Sequence, residues 1–173
     1  LTPGAGLVPY EINVPFWSDN AFKTRWFSVP ETNLTIGFNP DSNWSFPTGA
    51  VWVKHFELEL TNGVAASRKR LETRFIVKID SGVYGVTYRW GNSITNATLV
   101  PEEGSDEPFV INDGGVLRTQ VWHYPSRNEC LQCHTPAAGH VLGFQAAQLN
   151  RPLAYPGGTS NLCSPATPRQ REI

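Results

Sequence analysis

Methionine is absent from this chain of 173 residues, and cysteine occurs only three times. Charge is sparse and nearly balanced: 14 Lys and Arg against 15 Asp and Glu leave a formal net charge of −1. No basic block is present, which argues against nucleic acid as a partner, because phosphate recognition needs a concentrated positive face. Long apolar runs are missing, so no segment reads as a membrane span. No signal peptide is visible, and a chain that begins at Leu1 reads as a mature or excised form. No internal repeat is evident. What is present, 40% hydrophobic and 17% charged residues, is the composition of a globular chain. Its length suits one domain with its own core.

Two of the three cysteines carry the most specific signal. Cys130-Leu131-Gln132-Cys133-His134 reads C-x-x-C-H, the attachment signature of c-type haem. The spacing has a chemical reason. Positions i and i+3 of a helix share a face, so both thiols can reach the two vinyl groups of one haem. His134 follows directly and can bind iron as the axial ligand. The flank agrees: Ser126 and Glu129 stand as N-cap and N3 of a capping box, and predict a helix from about Arg127. Two other chemistries use a C-x-x-C pair. A zinc site usually takes four ligands, and here only Cys163 and a few histidines remain to complete one. A thioredoxin-like redox pair needs a βαβ context, which the pattern lacks.

With haem on Cys130 and Cys133, Cys163 has no intrachain partner and is either a free thiol or an intermolecular link. The missing methionine then excludes the His/Met axial pair of many electron-transfer cytochromes. The sixth iron position is left vacant, or filled by His55, His123, His140, a lysine or an external molecule. His123 is the leading internal candidate, on a strand that runs into the motif. His140 follows the axial His134 too closely to reach the opposite haem face.

The rest of the chain reads as strands. Alternation predicts strands over 23–29, 51–60, 71–79, 83–90, 96–100, 109–112 and 116–124, with turns at Asn62-Gly63, Asp80-Ser81-Gly82 and Asp113-Gly114-Gly115. Lys54 falls on the apolar face of its strand with Trp52, Phe56 and Leu58. Arg25 shares a face with Phe27 and Val29. Glu72 falls between Arg70 and Arg74, on a face that reads as solvated and salt-bridged. A second short helix is expected from about His140 to Leu149. Residues 151–173, rich in Pro, Ser and Thr, read as a tail or linker. The expected fold is therefore mainly β: one antiparallel-sheet domain over residues 1–150, with a short C-terminal helical segment carrying C-x-x-C-H.

This layout resembles the cytochrome P-460 and cytochrome c′-β family, whose members are mainly antiparallel sheet with a late C-x-x-C-H and an open distal haem face. The stretch from Phe46 to Lys54, FPTGAVWVK, is similar to the family's aromatic-x-x-Gly-x-Val-x-Val-Lys strand. In the P-460 branch that lysine is cross-linked to the haem, and Lys54 matches it. The Arg25 segment resembles the family's distal arginine, and Leu71-Glu72 resembles the pair that supplies a distal carboxylate. A second resemblance is to haem c modules of large bacterial secreted proteins. It rests on Pro15 to Asp19, Arg70 to Arg74 and the run from Tyr88 to Thr98.

The first resemblance implies one haem c whose iron binds or oxidises a small nitrogen compound, hydroxylamine or nitric oxide, among Lys54, Arg25 and Glu72. The second implies an electron-transfer domain, bis-His or similar, serving a partner protein or an adjacent domain. Haem c is attached outside the bacterial cytoplasm, so either reading implies a periplasmic or secreted protein.

Overall fold

The computed structural model describes residues 2–155 and 158–160. Cys163 and most of the expected tail lie outside the described residues.

The chain is mainly β. Six strands form one antiparallel sheet in sequential order: β1 (Val8–Pro9), β2 (Phe22–Ser28), β3 (Val51–Glu59), β4 (Arg68–Ile79), β5 (Gly82–Arg89) and β6 (Thr98–Leu99). Adjacent strands in sequence are adjacent in space; a tight turn joins β4 to β5, while the link from β2 to β3 runs over residues 29–50. A separate hairpin follows, β7 (Ser105–Asp113) with β8 (Val116–Tyr124). Then come α1 (Arg127–Cys133), a 3-10 turn (Pro136–Ala138) and α2 (Ala146–Leu149). The tail begins with a small strand pair, β9 (Leu153–Tyr155) and β10 (Gly158–Ser160). Among the described residues no helix is long and apolar enough to cross a membrane.

Several sequence expectations shift: the strand expected over 96–100 shrinks to Thr98–Leu99, and the one expected from 71 begins at Arg68. The strand expected over 109–112 begins at Ser105 and includes Pro108. Proline fits there because, apart from the bridge of Asn112 to Thr61, β7 pairs only with β8 and its other edge is open at Pro108. The helix expected from His140 shrinks to Ala146–Leu149. Gly139, His140 and Gly143 have φ of 66°, 62° and 92°, and left-handed backbone at these positions cannot continue a right-handed helix. The tail is not uniformly irregular, since part of it forms β9 and β10.

The two halves of the inner sheet face are covered by different parts of the chain. At one end Phe27, Trp52 and Ile76 pack with Trp44, Val141 and Phe144. At the other, Phe56 and Leu58 pack with Phe109, Ile111, Trp122 and Tyr124 of the hairpin. Lys54 falls between Trp52 and Phe56, at the gap between the two apolar clusters. A β-bulge lies here: Phe56 faces Glu72 while Glu57 faces Arg70, so Leu71 is the extra residue of β4.

His55 points to the outer face and is 2% exposed. Its Nδ1 is 2.8 Å from the Thr73 hydroxyl, which also accepts from Trp90 Nε1 at 3.0 Å. Burial pushes its pKa down to about 4, and Glu57 opposes only part of that. A folded pKa below the unfolded value means that protons bind the unfolded chain first. The neutral ring's contribution is complete above about pH 6.5 and is lost as pH falls through 4. Urea denaturation across that window is expected to show a loss of about 3 kcal/mol that His55→Asn removes.

Candidate functional site

Strand register assembles the site. Arg25 on β2 pairs with Lys54 on β3, and Lys54 pairs with Arg74 on β4, so three cations form one row across the inner face. The neighbouring row is Phe27, Trp52 and Ile76; the row on the other side is Lys23, Phe56 and Glu72.

Opposite this face sits α1. Ser126 Oγ accepts from the Glu129 N–H, and the Glu129 carboxylate accepts from the Ser126 N–H, completing the capping box. The helix lies on β5 at Gly85. A Cβ at Gly85 would stand 2.7 Å from Cys130 Sγ and 2.9 Å from Cys130 Cβ, so glycine is what permits this approach. Neither Cys130 nor Cys133 forms a disulfide; Cys130 is half-buried and Cys133 exposed. Burial raises the pKa of the Cys130 thiol.

His134 ends the helix, and its Nδ1 is 2.7 Å from the carbonyl oxygen of His140. A carbonyl only accepts, so Nδ1 carries the proton and Nε2 keeps its lone pair. The left-handed backbone of Gly139 and His140 turns the chain back to make this contact, and the His140 N–H donates to the Thr135 carbonyl at 2.9 Å. Burial lowers the His134 pKa, partly opposed by the His140 carbonyl; Lys54 and Arg74 add to the lowering. A neutral imidazole anchored through one nitrogen is the state in which histidine binds a metal through the other.

Cys130, Cys133 and His134 line one cavity of about 320 Å³ with Trp52, Ile76, Lys54, Arg74, Val141 and Leu142. Its volume lies at the small end of the range for ligand pockets, roughly 300–1,000 Å³. A neighbouring cavity of about 310 Å³ shares Lys54, Tyr10, Phe16 and Leu142 with it and reaches Arg25 and Lys23. A larger space, about 580 Å³, lies on the outer face of the sheet among Trp26, Phe75, Tyr88 and Trp90. It is apolar and on the far side of the sheet from C-x-x-C-H, so size does not locate the chemistry here.

Among the described residues, no group of three or more His, Cys, Asp or Glu side chains is gathered to hold a metal ion; Cys163 lies outside them. Haem iron takes four nitrogens from its own macrocycle and asks the chain for one imidazole. Two thiols, an imidazole anchored at Nδ1 and walls of Trp52, Ile76, Val141 and Leu142 fit that demand.

The other candidate residues separate. Lys54 lines both cavities, with its ammonium 5.8 Å from the centre of the Phe56 ring. Burial, then the charges of Arg25, Arg74 and Lys23, push its pKa down to about 8. Arg25 lines the second cavity. Glu72 lines neither. It is fully buried, and its Oε1 accepts from Arg74 and, at 3.1 Å, from Trp122 Nε1. The face of β4 that reads as solvated is therefore the inner one, while Thr73, Phe75 and Val77 face outward. Arg74 escapes sequence reasoning for the same reason, although its place two residues before the buried Ile76 is the signal that could have found it.

His123 is not brought to the site. It is exposed, with Nδ1 2.6 Å from Asp106 and Nε2 3.1 Å from Glu129. Both ring nitrogens are engaged, and the two carboxylates raise its pKa. As an internal sixth ligand it would have to leave both partners and cross to the cavity.

No family model, no curated protein and no solved structure matches this chain.

Proposed function

We propose that this chain is a monohaem c-type cytochrome whose sixth iron position, lacking methionine, takes a small nitrogen compound such as hydroxylamine or nitric oxide. The observation that carries the reading is the 2.7 Å contact between His134 Nδ1 and the His140 carbonyl, in a cavity that Cys130 and Cys133 also line. Cys130 and Cys133 would each form a thioether by adding S–H across a vinyl group. Haem c, when bound, supplies a redox-active iron that coordinates small ligands.

The chain's own residues do the rest. His134 holds the iron, and His140 fixes the orientation of its ring. Trp52, Ile76, Val141 and Leu142 keep water from that space. Lys54 presents a donor to a bound polar ligand, while Arg25 lines the adjoining cavity. With its pKa pulled down to about 8, Lys54 is mostly an ammonium at pH 7 and turns neutral, the form in which an amine acts as base or nucleophile, above about pH 8. Glu72 sets Arg74 in place; a role as proton acceptor would have to pass through Arg74. Haem c attachment implies a periplasmic or secreted location. The electron-transfer alternative in its bis-His form has His123 as its leading internal ligand, and the two carboxylate partners of His123 count against it.

Optical spectra of the ferric and ferrous protein test this. The ferrous form is expected to be high-spin and to bind carbon monoxide or nitric oxide readily. A low-spin ferrous spectrum that His123→Ala converts to high-spin would overturn the open-site reading in favour of electron transfer.

A further inference from the structure

The second cavity holds a charge that the fold leaves unanswered. Arg25 is 7% exposed, yet its guanidinium makes no hydrogen bond or ion pair with any described residue. Of the groups whose field reaches it, Tyr10 is a neutral phenol and the Glu11 carboxylate is taken by Arg151 at 2.8 Å. Its nitrogens are not sealed from solvent but open onto the cavity, so the five N–H donors of the guanidinium are left to whatever occupies that space. The rest of the row is no help. Lys54 stands directly beside Arg25 in register, and beyond it the charge of Arg74 is answered by Glu72. Lys23 also lines this cavity, with its ammonium on the Phe16 carbonyl.

The remaining wall points the same way. Its other polar side chains are Ser18, Asn43, Gln145, Gln148 and Tyr10, and no carboxylate is among the described lining residues. Three cations, neutral donors and no acid make a cavity of about 310 Å³ that lacks its counter-charge. A guanidinium binds a planar carboxylate through two parallel N–H bonds, and an ammonium beside it adds a point charge.

We propose that this cavity binds a small anion, a carboxylate or an oxyanion, held by Arg25 and Lys54. Two sources could bring that chemistry: a free anion, or a propionate of the haem in the adjoining cavity. The site is made by β2, β3 and the segments around Phe16 and Gln145, so the free-anion form does not depend on haem; the propionate form rests on the cytochrome reading.

The test uses the full haem-bearing chain, with intact mass recording haem attachment separately. Sodium acetate and sodium phosphate are titrated at constant ionic strength by calorimetry, alongside the optical spectrum and the midpoint potential. Saturable binding of one anion per chain, weakened at least tenfold by Arg25→Gln and partly restored by Arg25→Lys, is the expected result for a free anion. No anion binding, with a midpoint potential that shifts in Arg25→Gln and returns in Arg25→Lys, identifies a propionate as the occupant. Lys54→Gln is expected to act in the same direction and serves if the Arg25 variants fail to fold. Binding that survives both substitutions unchanged, or no binding together with an unaltered potential, overturns the proposal. Loss of haem mass in the parent would sink the cytochrome reading alone, since acetate and phosphate binding can still be read on that protein.

Discussion

Replacing Cys130 and Cys133 together by serine is expected to remove all covalently held haem. The parent polypeptide, denatured and freed of non-covalent cofactor, should carry the mass of one haem; the double variant should carry none. Either single variant keeps one thiol and so one possible thioether. The effect is not a disguised folding defect. Cys133 is exposed, and serine at position 130 is smaller than the thiol that now rests against Gly85. Circular dichroism of the variant should retain the parent's strand signal. A parent that shows bare polypeptide, or a bound zinc ion, would overturn the cytochrome reading at its root.

The second large effect concerns stability. Arg74→Ala is expected to lower the unfolding free energy by about 3–5 kcal/mol, the usual cost of stripping the partner from a buried charge. Glu72 is fully buried, and its second oxygen, Oε2, already has no hydrogen-bond partner among the described residues. Trp122 alone would then answer a whole negative charge. The substitution also removes the guanidinium from over the Phe56 ring, where it stands 4.7 Å from the centre. Glu72→Gln is expected to cost less, because the Arg74 side chain is 30% exposed and can turn to water. In the double variant the two losses should not add, since the neutral amide no longer needs the cation. Urea denaturation of the four proteins gives the cycle. An Arg74→Ala loss below about 1 kcal/mol would mean that the pair behaves as a solvated surface bridge.

What was legible in the sequence depended on how local its cause was. The start of α1 is set by Ser126 and Glu129, three residues apart, so the capping box could be read directly. Strands β3 and β5 end at Gly-containing turns and β8 begins after one, and their ranges differ little from expectation. On β4 the separation of Thr73, Phe75 and Val77 from Glu72 and Arg74 holds, but the charged side faces inward, which pairing with β3 decides, and the bulge at Leu71 takes Arg70 off that face. The helix expected from His140 failed because the apolar residues Val141 and Phe144 have helical spacing, while the backbone at Gly139 and His140 is left-handed.

By itself, the sequence determined the chemistry on offer: two thiols and an imidazole at C-x-x-C-H spacing on a capped helix, no methionine, and enough alternating segments for an antiparallel sheet. Only the tertiary structure decided which side chains meet that motif. It set Arg25, Lys54 and Arg74 in one row, buried Glu72 behind Arg74, and left His123 in solvent between Asp106 and Glu129. The reason is physical. Spacing along one helix is fixed by local backbone geometry, but neighbours across a sheet are fixed by register, and register is settled by packing between segments far apart in the chain.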